Sequence, residues 1–453
     1  MDDAASHVIP TIMPSREELM AKDTFRVRLE AICREVVPIA LPELPPFSLQ
    51  AYGSFASGFA VRGSDLDLTV VWDYPPIPGF EEAVASVPRI LEAALLQAGL
   101  GARVLDRTRV PIIKVCEHPT PELYHNLVME RQKWDTIAKE EEGETLRERL
   151  APQSAAFGTL QHLKEMSAVE RTLQDDLRGY LNRFMDSARE AMKDTDEDQY
   201  FRMTDPAPKP WLREKAMGDL DFPKTGVGIQ CDINFTNSLA IHNTRLLRCY
   251  SLCDVRVRPM VLFVKEWARR RKINSAYSGT LSSYGYVLMV LHYLIHVAKP
   301  PVLPNLLHMS GGAVVTEQGY KFSFYDDEDA IRRAAAAGNI TTNTMPLGVL
   351  LRNFFHYYGE LSAMGAEDRG FNWTRWVLSL RSPHGLLWKE EKGWTAAKNA
   401  VMTDKVVRQR YLLAIEDPFE TDHNVARTVT HNGIVAIRDE FRRALSIMAD
   451  LAN

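Results

Sequence analysis

Cysteine is scarce in this chain. The five thiols, Cys33, Cys116, Cys231, Cys249 and Cys253, are odd in number and match no zinc-ligand spacing, so a reducing compartment, the cytoplasm, is expected. Positive charge is not in excess either: the net charge is −5, so any nucleic-acid or acidic-membrane partner must be held by a local patch. No apolar run is long enough for a bilayer. The longest, "YGYVLMVLHYLIHVA" at 284–298, carries His292 and His296 and reads as a core helix. The opening "MDDAASHVIP" begins with acids and has neither an apolar core nor transit-peptide arginines, so no targeting segment and no membrane association are expected. Repeats and low-complexity tracts are also missing.

What is present is enough chain for two or three domains, with 453 residues of ordinary globular composition. "FSLQAYG", "LDLTVVW", "ARVL", "VPIIKV" and "GIQCDINF" have strand composition, and "FEEAVASVPRILEAALLQAG" has helical periodicity. Together they predict a small mixed α/β unit. It is interrupted between Val115 and Thr225 by charged, helix-periodic stretches that end in the proline-rich "TDPAPKPW". From Asn237 onward the chain reads as almost wholly helical, and Cys249 and Cys253, four apart, are expected on a buried helix face.

One stretch carries the chemistry. In "AYGSFASGFAVRGSDLDLTVVW", residues 51–72, strand alternation sends Asp65 and Asp67 to one face and Leu66 and Leu68 to the core. By itself that pattern fits a solvated strand edge as well as a metal-binding claw. Gly53 and Ser54, about ten residues earlier, open a turn into "FASGFA", where backbone N–H groups and a hydroxyl suit a phosphate. A third acid, Asp232, sits alone in the apolar "GIQCDINF", and a lone buried charge is costly without a cation or partner. If that strand lies beside 65–71, three carboxylates converge.

This combination resembles the signature of the DNA polymerase β-like nucleotidyltransferases. Further blocks, "LAIHNT" (239–244), 258–306, "EKGWT" (391–395) and "AIEDPFETDHNVARTV" (414–429), are similar to the cytoplasmic terminal uridylyltransferases of the caffeine-induced-death type. The resemblance covers roughly 45–115 and 226–445. It implies an α+β fold: a small mixed-sheet catalytic domain from 45–115 and 226–236, and a mostly helical poly(A) polymerase-associated domain from 15–44 and 237–453. Residues 116–225 have no matching counterpart and form an inserted helical module.

The same resemblance implies roles. Asp65, Asp67 and Asp232 would hold two Mg²⁺ or Mn²⁺ ions. Gly53, Ser54, Lys265 and Ser283 would grip the triphosphate of UTP, together with Arg269, where the relatives carry a lysine; arginine keeps the charge but changes the geometry. Tyr284 would stack on the base, and Asn243 and Thr244 would reach the ribose 2′-hydroxyl, Asn243 also the base edge. Asp417, His423 and Arg427 match the nucleotide-recognition loop, with the His423 imidazole facing uracil O4. The implied activity is template-independent addition of UMP to RNA 3′ ends. An adenylyl-adding enzyme using the same site and an inactive RNA-binding scaffold are the alternatives, whereas the "EDPFE" block points away from oligoadenylate-synthase chemistry.

RNA contact is expected of the densest basic run, "ARRRK" at 268–272, through Arg270, Arg271 and Lys272, with Arg256 and Arg258 upstream; a solvated helix face is the plainer reading. The inserted module suits a protein-docking surface, an RNA guide or a spacer, and its composition does not choose among them.

Overall fold

The computed structural model describes residues 2–73, 80–105, 111–148, 212, 217–235, 238–309, 314–317, 319–360, 370–402 and 405–450. The chain divides into two compact units, Met1–Met129 with Lys209–Asn453, and Glu130–Pro208.

The first unit contains a five-stranded sheet built from β1 (Phe47–Tyr52), β2 (Leu66–Trp72), β3 (Gly101–Leu105), β4 (Ile112–Cys116) and β5 (Gln230–Asn234), in the order β1-β2-β5-β4-β3. β2 and β5 run parallel and the other neighbours antiparallel. The helices Arg16–Ala40 and Phe80–Gln97 share this sheet's core. Phe25, Leu29, Cys33 and Val37 recur every fourth residue and so form one apolar stripe, which packs with Leu66, Leu68, Ile113, Val115 and Ile233. Residues 15–44, expected from the sequence to group with the helical domain, thus contribute their apolar stripe to the sheet's core. Periodicity announces a buried face but does not say which core receives it. The preceding helix, Asp2–Ile12, does send Ala5 and Ile9 into the helical core.

That second core is built from the helices Ser238–Cys253, Val257–Arg270, Ser283–His292, Leu347–Gly359 and His431–Asp450. Cys249 and Cys253 are buried in it as expected, and all five cysteines are free thiols. The helix Ser283–His292, capped by the Ser282 side chain, continues through a π-helical turn at Tyr293–Val297 and is apolar all round because it is buried all round. Among the described residues, no helix is long and apolar enough to cross a membrane.

The expectation of an almost wholly helical second half needs correction. Three two-stranded hairpins interrupt it, at Val314–Glu317 with Tyr320–Ser323, Trp376–Leu378 with Leu386–Trp388, and Lys398–Met402 with Lys405–Gln409. Strands of three to five residues are too short to show an alternation that stands out from irregular loop sequence.

The insertion leaves and re-enters the sheet at one place. Cys116 at the end of β4 faces Gln230 at the start of β5, and the pairing continues outward as Glu117 N–H donates to the Ile229 carbonyl at 3.0 Å and His118 N–H to that of Val227 at 2.9 Å. The first helix-periodic stretch is the helix Pro121–Glu148. The second, at 159–193, and the proline-rich exit at 204–211 lie outside the described residues.

Candidate active site

Alternation in β2 buries Leu66 and Leu68 fully and turns Asp67 to the opposite face, with Asp65 two residues earlier, just ahead of the strand. β2 and β5 are parallel, and Asp67 and Asp232 are register partners, so their side chains leave the sheet on the same side. The third acid therefore joins the pair as the lone charge in β5 suggested. Across the next strand, Lys114 is the register partner of Asp232, and its Nζ donates to Asp232 Oδ1 at 3.0 Å.

The electrostatics follow from this crowding. Burial pushes the Asp67 carboxyl up to about 7, with the Asp232 and Asp65 carboxylates adding to the shift and Lys265 and Lys114 opposing it. Burial also raises Asp65, with Asp232 adding and Lys114 opposing. Desolvation works against a charged Lys114, but its bond to Asp232 outweighs it and holds the ammonium above its ordinary value. Among the described residues no group of three or more His, Cys, Asp or Glu side chains is arranged so that it could hold a metal ion as it stands. By residue type the donors nonetheless suit a hard divalent cation: three carboxylates drawn together by β2 and β5, two of them raised above their ordinary values by burial and, secondarily, by one another.

Beside the carboxylates opens a cleft of about 400 Å³, lined by Gly53, Ser54, Asp65, Asp67, Lys265, Arg269, Ser283 and Tyr284 among others. Gly53 has φ +66°, and a Cβ on it would overlap the Asp67 carboxylate, so only glycine lets this turn approach the claw. Its N–H donates to Thr244 Oγ1 at 2.8 Å, so Thr244 ties the helix Ser238–Cys253 to the turn. Lys265 donates to the Phe59 carbonyl at 2.6 Å, and burial depresses its ammonium to about 8. Ser283 is held by Asn274, whose Nδ2 donates to Oγ at 2.9 Å. Arg269 lies at the lip, bonded through Nε and Nη2 to the Glu266 carboxylate, both at 2.8 Å.

Away from the carboxylates, Asp417 acts as a hub. Its Oδ1 accepts from the backbone N–H groups of Phe419 at 3.0 Å and Glu420 at 3.1 Å, and its Oδ2 from the Tyr284 hydroxyl at 3.0 Å and Asn243 Nδ2 at 3.2 Å. One carboxylate thus orients both residues expected to meet the base and ribose. Asn243 Oδ1 is buried without a hydrogen-bond partner. In the same loop Arg427 Nη1 lies 2.9 Å from His423 Nδ1. The same Nη1 lies 3.3 Å from His423 Nε2, so the guanidinium, which only donates, faces the ring edge that carries both nitrogens.

The basic run 268–272 does not face outward as one cluster. Arg271 is tied to Glu440 at 2.7 Å with both side chains largely buried. Arg269 and Arg270 share Glu266, though both remain well exposed, and Lys272 sits at positive φ just past the helix end. Arg256, likewise, is spent on Asp254, Asn343 and Met345. Lys114 and Glu266 were not anticipated. Lys114 carried the same signal as Asp232, a single charge in an apolar strand, and that reasoning extended to "VPIIKV" would have found it.

Known proteins match this arrangement. The family model for the Cid1 family of poly(A) polymerases covers residues 346–423, and that for the central palm domain of mitochondrial-like poly(A) RNA polymerases covers 1–130 and 220–252. Terminal uridylyltransferase cid1 of Schizosaccharomyces pombe is 48% identical over 224 residues, 49% of this chain and 51% of that protein. Poly(A) RNA polymerase cid13 of the same yeast is 35% identical over 226 residues, 49% of this chain and 34% of that protein. The matched stretch thus spans about half or less of these relatives' own length. A solved structure of Cid1, described as an RNA terminal uridylyl transferase, aligns with TM-score 0.64 and 30% identity over 99% of this chain and 93% of that one. Cid1 structures with the UTP analogue UMPNPP and with magnesium-bound nucleotides align similarly. With 30% identity across 93% of a solved Cid1 structure, and a family model matched over residues 346–423, the chain belongs to the Cid1 family of poly(A) polymerases.

Proposed function

We propose that this protein is a template-independent RNA 3′-terminal uridylyltransferase that adds UMP from UTP. The observation that carries the reading is the convergence of Asp65, Asp67 and Asp232 beside a cleft lined by Lys265, Ser283 and Tyr284. The three aspartates would hold two Mg²⁺ or Mn²⁺ ions, which lower the pKa of an attacking 3′-hydroxyl and neutralise charge on the departing pyrophosphate. The chain supplies position. Gly53 and Ser54 offer a close-approach turn for phosphate oxygens, Lys265 and Arg269 offer positive charge, and Asp417 sets Tyr284 and Asn243 against the base and ribose. Little acid–base work is left for the side chains.

His423 favours uracil over adenine, because an imidazole N–H can donate to a carbonyl O4 and not to an amino group. The adenylyl-adding reading is kept because the matched family and the relative cid13 carry poly(A) polymerase names. The five free thiols support a cytoplasmic location. The inserted module 116–225 is a candidate docking surface for a protein partner.

One assay tests the reading: a labelled RNA oligonucleotide offered each nucleotide triphosphate separately with Mg²⁺ or Mn²⁺. Extension by UTP above the others is expected. Preference for ATP favours the adenylyl reading, and no extension with any nucleotide favours a binding scaffold.

A further inference from the structure

The recognition loop between Glu416 and Asn424 is closed by a side chain from outside it. Lys392, in the turn after the hairpin strand Leu386–Trp388, places Nζ 2.6 Å from Glu416 Oε1 and donates to the Thr421 carbonyl at 2.8 Å. The indole ring of Trp394 lies 5.0 Å from the same ammonium. The Glu416 carboxylate is almost fully buried, and its other oxygen accepts from the Ser379 hydroxyl. A buried carboxylate so held is costly to leave unpaired, which makes the lysine's place specific.

The two acceptors flank the residues that meet the nucleotide. Glu416 immediately precedes Asp417, the hub for Tyr284 and Asn243, and Thr421 lies two residues before His423. Within the loop Asp417 N–H donates to the His423 carbonyl at 3.2 Å and His423 N–H to that of Glu420 at 2.8 Å. These contacts are local. Backbone contacts also hold the loop's ends, as Glu416 N–H donates to the Leu378 carbonyl of the hairpin at 2.9 Å and Ile415 N–H to Asn424 Oδ1 at 2.9 Å, and Lys392 adds a side-chain bridge from the hairpin turn that joins Glu416 to Thr421.

We propose that Lys392 is a positioning residue for nucleotide selection: by bridging the Glu416 carboxylate and the Thr421 carbonyl, it fixes the spacing between Asp417 and His423. The inference rests on the nucleotidyltransferase reading above and adds to it the element that sets the recognition loop's shape. Lysine suits the task because one compact ammonium reaches two acceptors on diverging bearings.

The test uses the full chain. Lys392→Met alone would strand Glu416, so the informative variant is Lys392→Met with Glu416→Gln, which removes the bridge and leaves no buried charge. Its KM for UTP should rise at least 10-fold with kcat within about 3-fold, and its UTP/ATP ratio of kcat/KM should fall by a similar factor. Lys392→Arg should restore most of the selectivity. Hydrogen exchange read without substrate should quicken at the Asp417 and His423 amides, while the helix Ser283–His292 stays as protected as in wild type. Unchanged exchange in the loop, or an active double variant with wild-type KM and ratio, overturns the proposal. A wild type that extends RNA with no nucleotide overturns the enzymatic reading instead, and the exchange result still decides whether Lys392 orders the loop.

Discussion

Asp67 and Asp232 are register partners on neighbouring parallel strands, although 165 positions of sequence and the whole insertion separate them. Parallel pairing places both carboxylates on one face, and neither has the Lys114 ammonium to itself. The sheet therefore crowds carboxylates at the place where the proposed metal ions would lie.

Asp67→Asn and Asp232→Asn should each abolish RNA extension, by 10³-fold or more, because each removes a proposed metal donor. Asp67→Asn also relieves a buried, crowded carboxylate. In EDTA its melting temperature should equal or exceed that of wild type. Melting curves with extension assays check this; an inactive variant that melts well below wild type would make the defect one of folding.

Gly53→Ala tests the close approach. Positive φ is strained for alanine, and the added Cβ overlaps the Asp67 carboxylate. The expected cost is about 1–3 kcal/mol of stability, with a loss of activity far larger than such a change would cause by unfolding. Denaturant titration and kcat/KM on one preparation separate the two effects.

His423→Ala should lower the UTP/ATP ratio of kcat/KM by about 10- to 100-fold, corresponding to roughly 1–3 kcal/mol, chiefly by admitting ATP. Competition between the two nucleotides measures it. An unchanged ratio would remove His423 from the selective contacts.

Acid should destabilise the helical core through two histidines. Burial depresses His292 to about 3 and His296 to about 4, so both stay neutral in the fold. An unfolded histidine takes up its proton below about pH 6.5, so between pH 6.5 and 4 the unfolded state binds more protons and stability falls as pH drops. The loss by pH 5 should be on the order of 2 kcal/mol from His292 alone, with a further, solvent-screened share from the less buried His296. Urea midpoints at pH 7 and 5 report it. His292→Asn, which can keep a hydrogen bond to the Tyr358 hydroxyl, should flatten the acid limb.

Much of the claw was legible because charge in an apolar strand needs a reason. Asp232 stood out on that ground, and its pairing with Asp67 followed once the two strands were neighbours. Lys114 went unread although its strand is equally apolar. The links from Asp417 to Tyr284 and Asn243 join residues 133 and 174 positions apart, and no local pattern encodes them; only resemblance had marked those residues. The tie of Arg271 to Glu440, 169 positions away, is likewise invisible in a basic run. The stripe of helix Arg16–Ala40 does not announce its partner either, since an amphipathic stripe is the same whichever core it enters.

The facing of Cys116 and Gln230 has a bearing on delivery. The inserted chain departs from and returns to the sheet only two residues from Asp232, about 7 Å along a strand. If the insertion binds a partner, as proposed, that partner is joined by the polypeptide itself to the strand that carries Asp232, and its local concentration there is set by the connecting chain and not by bulk solution. On the uridylyltransferase proposal, exchanging the insertion for a module of known specificity would then change which RNA is extended.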